Sequence, residues 1–176
     1  MSSTSKSHKK SAPTNLGFGV ATVSTSRSQK VEKGISVTDI SGDLIEEHIV
    51  RAGNRVIDRS IIPDNREKIL EWIKSCLQTP QIDAIITCGG TGISRSDVTI
   101  ETVKELLDKE LPGFGDLFRV LSFEKIGSAA FVSRALAGIS ENKVVFCIPG
   151  SPDAAELAMV RLVLPEVGHI VKHIRE

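Results

Sequence analysis

The chain predicts an α/β fold, an open and mainly parallel sheet wrapped by helices on both faces. Three observations carry that prediction. Residues 82–88 and Lys143–Ile148 are compact apolar runs, too short for core helices and continuous enough for strands covered on both faces. Stretches with apolar residues at helical spacing lie between the strand-like runs, so helices alternate with strands along the chain. At 176 residues, 40% hydrophobic and 25% charged, the chain has the size and apolar content of one domain with its own core.

Residues 1–15 hold five Ser, two Thr, three Lys, one His and no acidic residue. They cannot bury enough apolar surface to offset ordering, so they read as a disordered, basic, Ser-rich tail ahead of a single domain over residues 16–176. Residues 17–25 read as a short apolar strand and the Ser/Arg/Lys-rich residues 26–36 as a mobile loop. A helix beginning after Ser41 carries Leu44, Ile45, His48 and Ile49 on one face and stops at Gly53, a residue favoured just past a helix end. Arg55–Ile62 is a second strand, which Pro63 ends. Asp64-Asn65-Arg66-Glu67 then has the pattern of a helix start, with Ile69, Leu70, Trp72, Ile73 and Leu77 as the buried stripe. After the strand over residues 82–88 come a glycine-rich loop, a helix over residues 99–109 and a break at Pro112-Gly113. Amphipathic pieces over residues 115–123 and 128–137 follow, the second carrying Ser133-Arg134 on a helix. The strand Lys143–Ile148 leads to one helix over residues 153–174, kinked at Pro165.

Composition excludes several classes of function. With 22 basic and 22 acidic residues, no general field draws nucleic acid or an anionic membrane, and any anion is captured locally. One Trp, six Phe and no Tyr leave few platforms for stacking single-stranded bases. Neither nucleic acid nor membrane is expected as a partner. Cys76, Cys88 and Cys147 are odd in number, widely spaced and set in apolar stretches, which suits buried thiols in a reducing compartment. No apolar run is long enough for a bilayer and the N-terminus lacks the core of a secretory signal, so the expected location is the cytoplasm.

The chemistry concentrates at Thr87-Cys88-Gly89-Gly90-Thr91-Gly92-Ile93-Ser94-Arg95-Ser96-Asp97. An apolar strand empties there into glycines, hydroxyls, one cation and one carboxylate. Gly89, Gly90 and Gly92 let amide N–H groups approach an anion. Thr91 and Ser94 offer hydroxyl donors, Arg95 a planar fork, and Asp97 a ligand for hydrated magnesium. The spacing fits neither the dinucleotide G-x-G-x-x-G nor the P-loop pattern, and an ordinary turn after a strand remains the other reading. In an open parallel sheet, ligands sit beyond the carboxyl ends of the strands. Three loops therefore converge: Ser24-Thr25-Ser26-Arg27, the glycine loop, and Pro149-Gly150-Ser151-Pro152. Asp64 is either the cap of the following helix or, if it meets Asp97, half of a magnesium site. Asp97 is otherwise a turn-closing residue.

Thr87 to Gly92, Arg95, Asp97-Val98-Thr99, Leu111-Pro112-Gly113-Phe114-Gly115, Ser133-Arg134 and Pro149-Gly150-Ser151-Pro152 together resemble the MoaB/MogA family of molybdenum-cofactor biosynthesis, over residues 17–174. Residues 121–127 and 133–138 are closer to the MoaB branch. The resemblance implies a three-layer α/β/α fold, assembly as homotrimers or homohexamers, and molybdopterin as ligand. It implies adenylylation of that pterin with ATP and Mg2+, giving molybdopterin-AMP and pyrophosphate. The family's catalytic aspartates fall on Asp64 and Asp97, which would hold the magnesium ion. Ligand contacts are expected from Ser24, Thr25, Gly89, Gly90, Thr91, Gly92, Ser94, Arg95, Ser133, Arg134, Pro149, Gly150, Ser151 and Pro152. Where MogA-like members carry two adjacent basic residues, this chain has Arg95 followed by Ser96. That departure leaves a second class open: a non-catalytic pterin-binding or carrier oligomer.

Overall fold

A computed structural model describes residues 13–176; the expected tail lies outside them except for residues 13–15. Six strands form one sheet: β1 (Gly17–Val23), β2 (Arg55–Ile62), β3 (Ala84–Cys88), β4 (Lys109–Glu110), β5 (Leu136–Ser140) and β6 (Lys143–Ile148). Their order is β2-β1-β3-β6-β5-β4. The first four strands in that order are mutually parallel, and β5 runs antiparallel to both of its neighbours. The helices are α1 (Thr25–Glu32), α2 (Ile40–Arg51), α3 (Arg66–Gln78), α4 (Thr99–Lys104), α5 (Pro112–Ile126), α6 (Pro152–Ala158) and α7 (Leu164–Arg175).

Alternate residues of the central strands enter two separate cores, as expected for strands with no solvated face. Phe18, Val20, Ile86 and Phe146 pack with Ile45 and Ile49 of α2, Phe118 of α5, and Val167 and Val171 of α7. Ile85, Val145 and Cys147 face Ile69, Trp72 and Ile73 of α3 and Val103 of α4. The result is the predicted three-layer, mainly parallel arrangement.

Register places the working edge. Val23 pairs with Ile62, Thr22 with Cys88, and Cys88 with Ile148, so four strands end at one level. From β1 the sheet continues through β2 on one side and through β3 on the other. The loops leaving β1 and β3 therefore diverge at the point where such sheets bind ligands.

Several local expectations are corrected. Residues 26–36 are not a loop throughout, because residues through Glu32 form α1; only Ser28 of that helix is buried, so it has no apolar stripe to betray it. The cap of α3 is Asn65, whose side chain accepts from the Lys68 N–H at 3.0 Å, and Leu70 is only partly covered while Cys76 joins the buried stripe. The helix expected over residues 99–109 ends at Lys104 and gives way to β4. Pro112 opens α5 rather than breaking a helix, since the N–H it lacks has no partner in a first turn. Residues 128–137 form a short 3-10 turn, an extended connection and the start of β5, so Ser133 and Arg134 lie on no helix. The final helical stretch bends through a π turn at Met159–Val163 just before Pro165, which accommodates the missing proline N–H.

Candidate active site

The first loop starts where β1 ends. Ser24 N–H donates to Ile62 O at 2.8 Å, tying the entrance of α1 to β2. The third loop is fixed twice: Gly89 N–H donates to Ile148 O at 2.9 Å, and the Ser41 hydroxyl of α2 donates to Gly150 O at 2.8 Å. Between them the glycine loop leaves β3.

These three loops and the Val132-Ser133-Arg134 connection enclose a cavity of about 380 Å³. The glycine loop contributes Gly89, Gly90, Thr91, Gly92 and Asp97 to its wall; the first loop contributes Ser24 and Arg27, and the third Pro149 and Gly150. Among the described residues, the N–H groups of Gly90, Thr91 and Gly92 have no hydrogen-bond acceptor, leaving them available to an anion.

Asp64 stands directly behind the loop. A methyl group on Gly90 would lie 2.8 Å from both Asp64 carboxylate oxygens and 2.2 Å from Thr99 Oγ1, and Gly90 has φ of 63°. Glycine is required there on both counts. Asp64 Oδ1 accepts from the Val98 N–H at 3.3 Å, and Thr25 Oγ1 accepts from the Asp64 N–H at 3.1 Å. Asp97 Oδ2 closes the turn by accepting from the Ser94 N–H at 2.8 Å, and a methyl group on Gly92 would lie 2.7 Å from the same oxygen. Burial pushes the Asp64 carboxyl above its ordinary value, aided by the negative charge of Asp97 and opposed by the Val98 amide. Two carboxylates that repel each other this way are stabilised by a cation between them.

Thr99 Oγ1 is buried without a hydrogen-bond partner among the described residues. The Asp64 carboxylate and this orphaned hydroxyl both stand against Gly90, and the Asp97 charge acts on Asp64. These are hard oxygen donors of the kind magnesium takes, and magnesium keeps several waters or phosphate oxygens as its remaining ligands. The donor set fits that ion.

Arg134 lines the cavity as expected, but from an extended connection rather than a helix, a setting that lets it clamp the glycine loop. Its Nε donates to Thr91 O at 2.9 Å, its Nη2 to Gly92 O at 2.7 Å, and its Nη1 to Glu101 Oε1 of α4 at 2.5 Å. The Glu101 carboxyl is held below its ordinary value chiefly by that bond. Because C=O and N–H of one trans peptide point oppositely, fixing Thr91 O also fixes the direction of the Gly92 N–H.

Not every expected residue reaches the cavity. Ser94 and Arg95 are exposed and outside its wall, with Ser94 Oγ 3.0 Å from Ser96 Oγ. Thr25 touches Asp64 rather than the cavity. Ser151 caps α6 by accepting from the Ala154 N–H at 3.3 Å, and Pro152 opens that helix. Ser151 also faces a second recess of about 170 Å³ with Lys125 and Asp153, which adjoins the first across Ser133 and Pro149. Sequence reasoning brought residues 24–27 to the site but gave Arg27 no role, because no periodicity marked α1.

Glycine-loop amides, a carboxylate pair and diverging strand ends define a phosphate-handling protein of the open α/β class. Residues 19–169 match the family model described as a probable molybdopterin binding domain. The chain is 43% identical over 168 residues, covering 95% of both chains, to molybdenum cofactor biosynthesis protein B of Halalkalibacterium halodurans. It is 42% identical to a molybdopterin adenylyltransferase of Pyrococcus furiosus, covering 96% of this chain and 97% of that one. A crystal structure of a molybdenum cofactor biosynthesis protein B superimposes with a TM-score of 0.85 at 42% identity, covering 93% and 98% of the two chains. The chain belongs to the molybdopterin-binding domain family.

Proposed function

We propose that this chain binds molybdopterin and adenylylates its terminal phosphate with ATP, releasing pyrophosphate. The observation that carries the reading is that Asp64 stands against Gly90 and Asp97 against Gly92 of one glycine loop, whose free amides, with Asp97 but not Asp64, line a cavity. The molybdopterin adenylyltransferase among the relatives supports the chemistry.

A phosphate monoester has its second pKa near about 6, so the pterin phosphate is largely a dianion at neutral pH and already a nucleophile. Its oxygen forms a bond to the α-phosphorus of ATP as the bond from that phosphorus to the pyrophosphate oxygen breaks. No general base is needed, which matches a site without a His or Cys pair. The chain's task is positioning and charge compensation. Asp64 and Asp97 would hold Mg2+, with Thr99 Oγ1 beside them. Magnesium, when bound, neutralises polyphosphate charge. The Gly90, Thr91 and Gly92 amides bind a phosphate group, Ser24 donates from the opposite wall, and Arg134 holds the loop in shape. Pro149 and Gly150 close the third side, and Ser133 joins it to the smaller recess.

The test is pyrophosphate release from purified protein with molybdopterin, ATP and Mg2+. Asp97→Asn should lower turnover on the order of a hundredfold to a thousandfold while leaving the fold intact; wild-type turnover by that variant would overturn the assignment. The carrier reading has one observation in its favour, Ser96 bonding Ser94 where a second cation would stand. It predicts pterin binding without pyrophosphate.

The reading extends to the whole protein: residues 16–176 act as a single molybdopterin-binding domain, in the cytoplasm, as a homotrimer or homohexamer. Cys76, Cys88 and Cys147 are free buried thiols, in keeping with a reducing compartment. Among the described residues no helix is long and apolar enough to cross a membrane.

A further inference from the structure

Arg27 and Arg134 line the cavity, Arg95 lies on the glycine loop outside its wall, and their circumstances differ. Arg134 donates through three nitrogens to the glycine loop and Glu101. Arg95 is exposed and outside the wall. Arg27, on the first turn of α1, lines the same cavity as the glycine loop and is half-buried. Among the described residues it has no hydrogen bond and no carboxylate within ion-pair distance. A guanidinium withdrawn from water without a counter-charge is costly unless an anion completes it. Its surroundings favour an anion for a second reason: the first turn of α1 has no acidic residue, and Ser24 makes no side-chain cap to the helix amides. The Ser24 hydroxyl lies 3.4 Å from that of Ser26 instead.

We propose that Arg27 is the cation that binds a substrate phosphate group in this cavity, which the glycine-loop amides also line. This rests on the adenylyl-transfer reading for the identity of the substrate, but not for the binding of phosphate itself. The two arginines then divide the work: Arg134 shapes the loop, and Arg27 meets the ligand. Five N–H donors in a planar fork suit two phosphate oxygens at once. The phosphate belongs either to the nucleotide or to the pterin.

Inorganic pyrophosphate titrated into the full chain by calorimetry tests the anion site without any turnover. Arg27→Gln is expected to weaken its binding roughly tenfold to a hundredfold, Arg27→Lys to restore part of it, and Lys30→Gln, exposed on the same helix, to leave it unchanged. Pyrophosphate binding by Arg27→Gln equal to wild type, or none by wild type, overturns the proposal. Steady-state kinetics on Arg27→Gln then separates the sources. A raised KM for ATP assigns the nucleotide, a raised KM for molybdopterin assigns the pterin phosphate, and neither rising in an active enzyme overturns the role. Arg27-dependent pyrophosphate binding in a protein that forms no adenylylated pterin would leave this proposal standing while removing the proposed function.

Discussion

At the scale of single residues, Asp64 and Asn65 separate two roles that adjoin in sequence. The Asn65 side chain caps α3, whereas the Asp64 carboxylate takes no part in that helix and accepts from Val98 beside the glycine loop. Asn65→Ala should therefore cost about 1 kcal/mol, lowering the melting temperature by about 2–4 °C with turnover retained. Asp64→Asn should abolish most turnover and leave the melting temperature near wild type. The reverse pattern, measured by calorimetry and pyrophosphate release, would return Asp64 to a capping role. Asp39 shows a carboxylate with a structural purpose. Burial tends to raise its pKa, but the Thr22 hydroxyl and the Arg59 guanidinium outweigh it, and the net shift is downward from the ordinary 3.8. A folded-state pKa below the unfolded one gives stability that is present above about pH 3.8 and lost as pH falls through the folded value. Asp39→Asn should remove that dependence, so its melting temperature should fall less than wild type's between pH 5 and pH 3, scales set by the carboxylate range.

At the scale of elements, what was legible followed from which contacts each segment makes. Arg55–Ile62 and Lys143–Ile148 were read to the residue because Gly53 and Pro63 bracket the first, and the second is buried along its length. α1 leaves no trace in the sequence, because a helix whose only buried residue is Ser28 has no period to detect. β5 was missed because five small and apolar residues beside an apolar turn resemble a helix face until β6 pairs with them. The converging loops were legible from topology, since strand ends collect ligands in such sheets. The clamp was not, because nothing near Arg134 in sequence shows that Thr91 and Gly92 will lie beneath it. That clamp joins the β5 connection, the glycine loop and α4 in one geometry. Arg134→Lys keeps a charge but cannot bridge two carbonyls and a carboxylate together. It should lower kcat/KM on the order of a hundredfold through misplacement of the loop, with a smaller loss of stability. Unchanged kcat/KM would show that the loop holds its shape unaided.

At the scale of the whole molecule, one surface is unlike the rest. Leu117, Val120, Phe123 and Ile126 recur along α5 with large exposed areas, and Phe131 in the adjoining 3-10 turn is 90% exposed. Val120, Phe123 and Phe131 flank one open groove, while Val132, exposed on the same turn, also lines the active-site cavity. A contiguous apolar face of this kind marks an interface, and the proposed homotrimer or homohexamer supplies a second copy of the chain to cover it. Phe131 contributes little to the fold of the isolated chain, so Phe131→Ser combined with Phe123→Asp should leave secondary structure unchanged and shift the species in solution toward monomer. Light scattering coupled to size exclusion reads that mass directly. An unchanged mass would place the assembly contacts elsewhere. Because Val132 belongs to both surface and cavity, loss of the interface should loosen the connection that carries Ser133 and Arg134. Turnover per chain should then fall on dilution of the wild type, and the double variant should show that lowered turnover at every concentration.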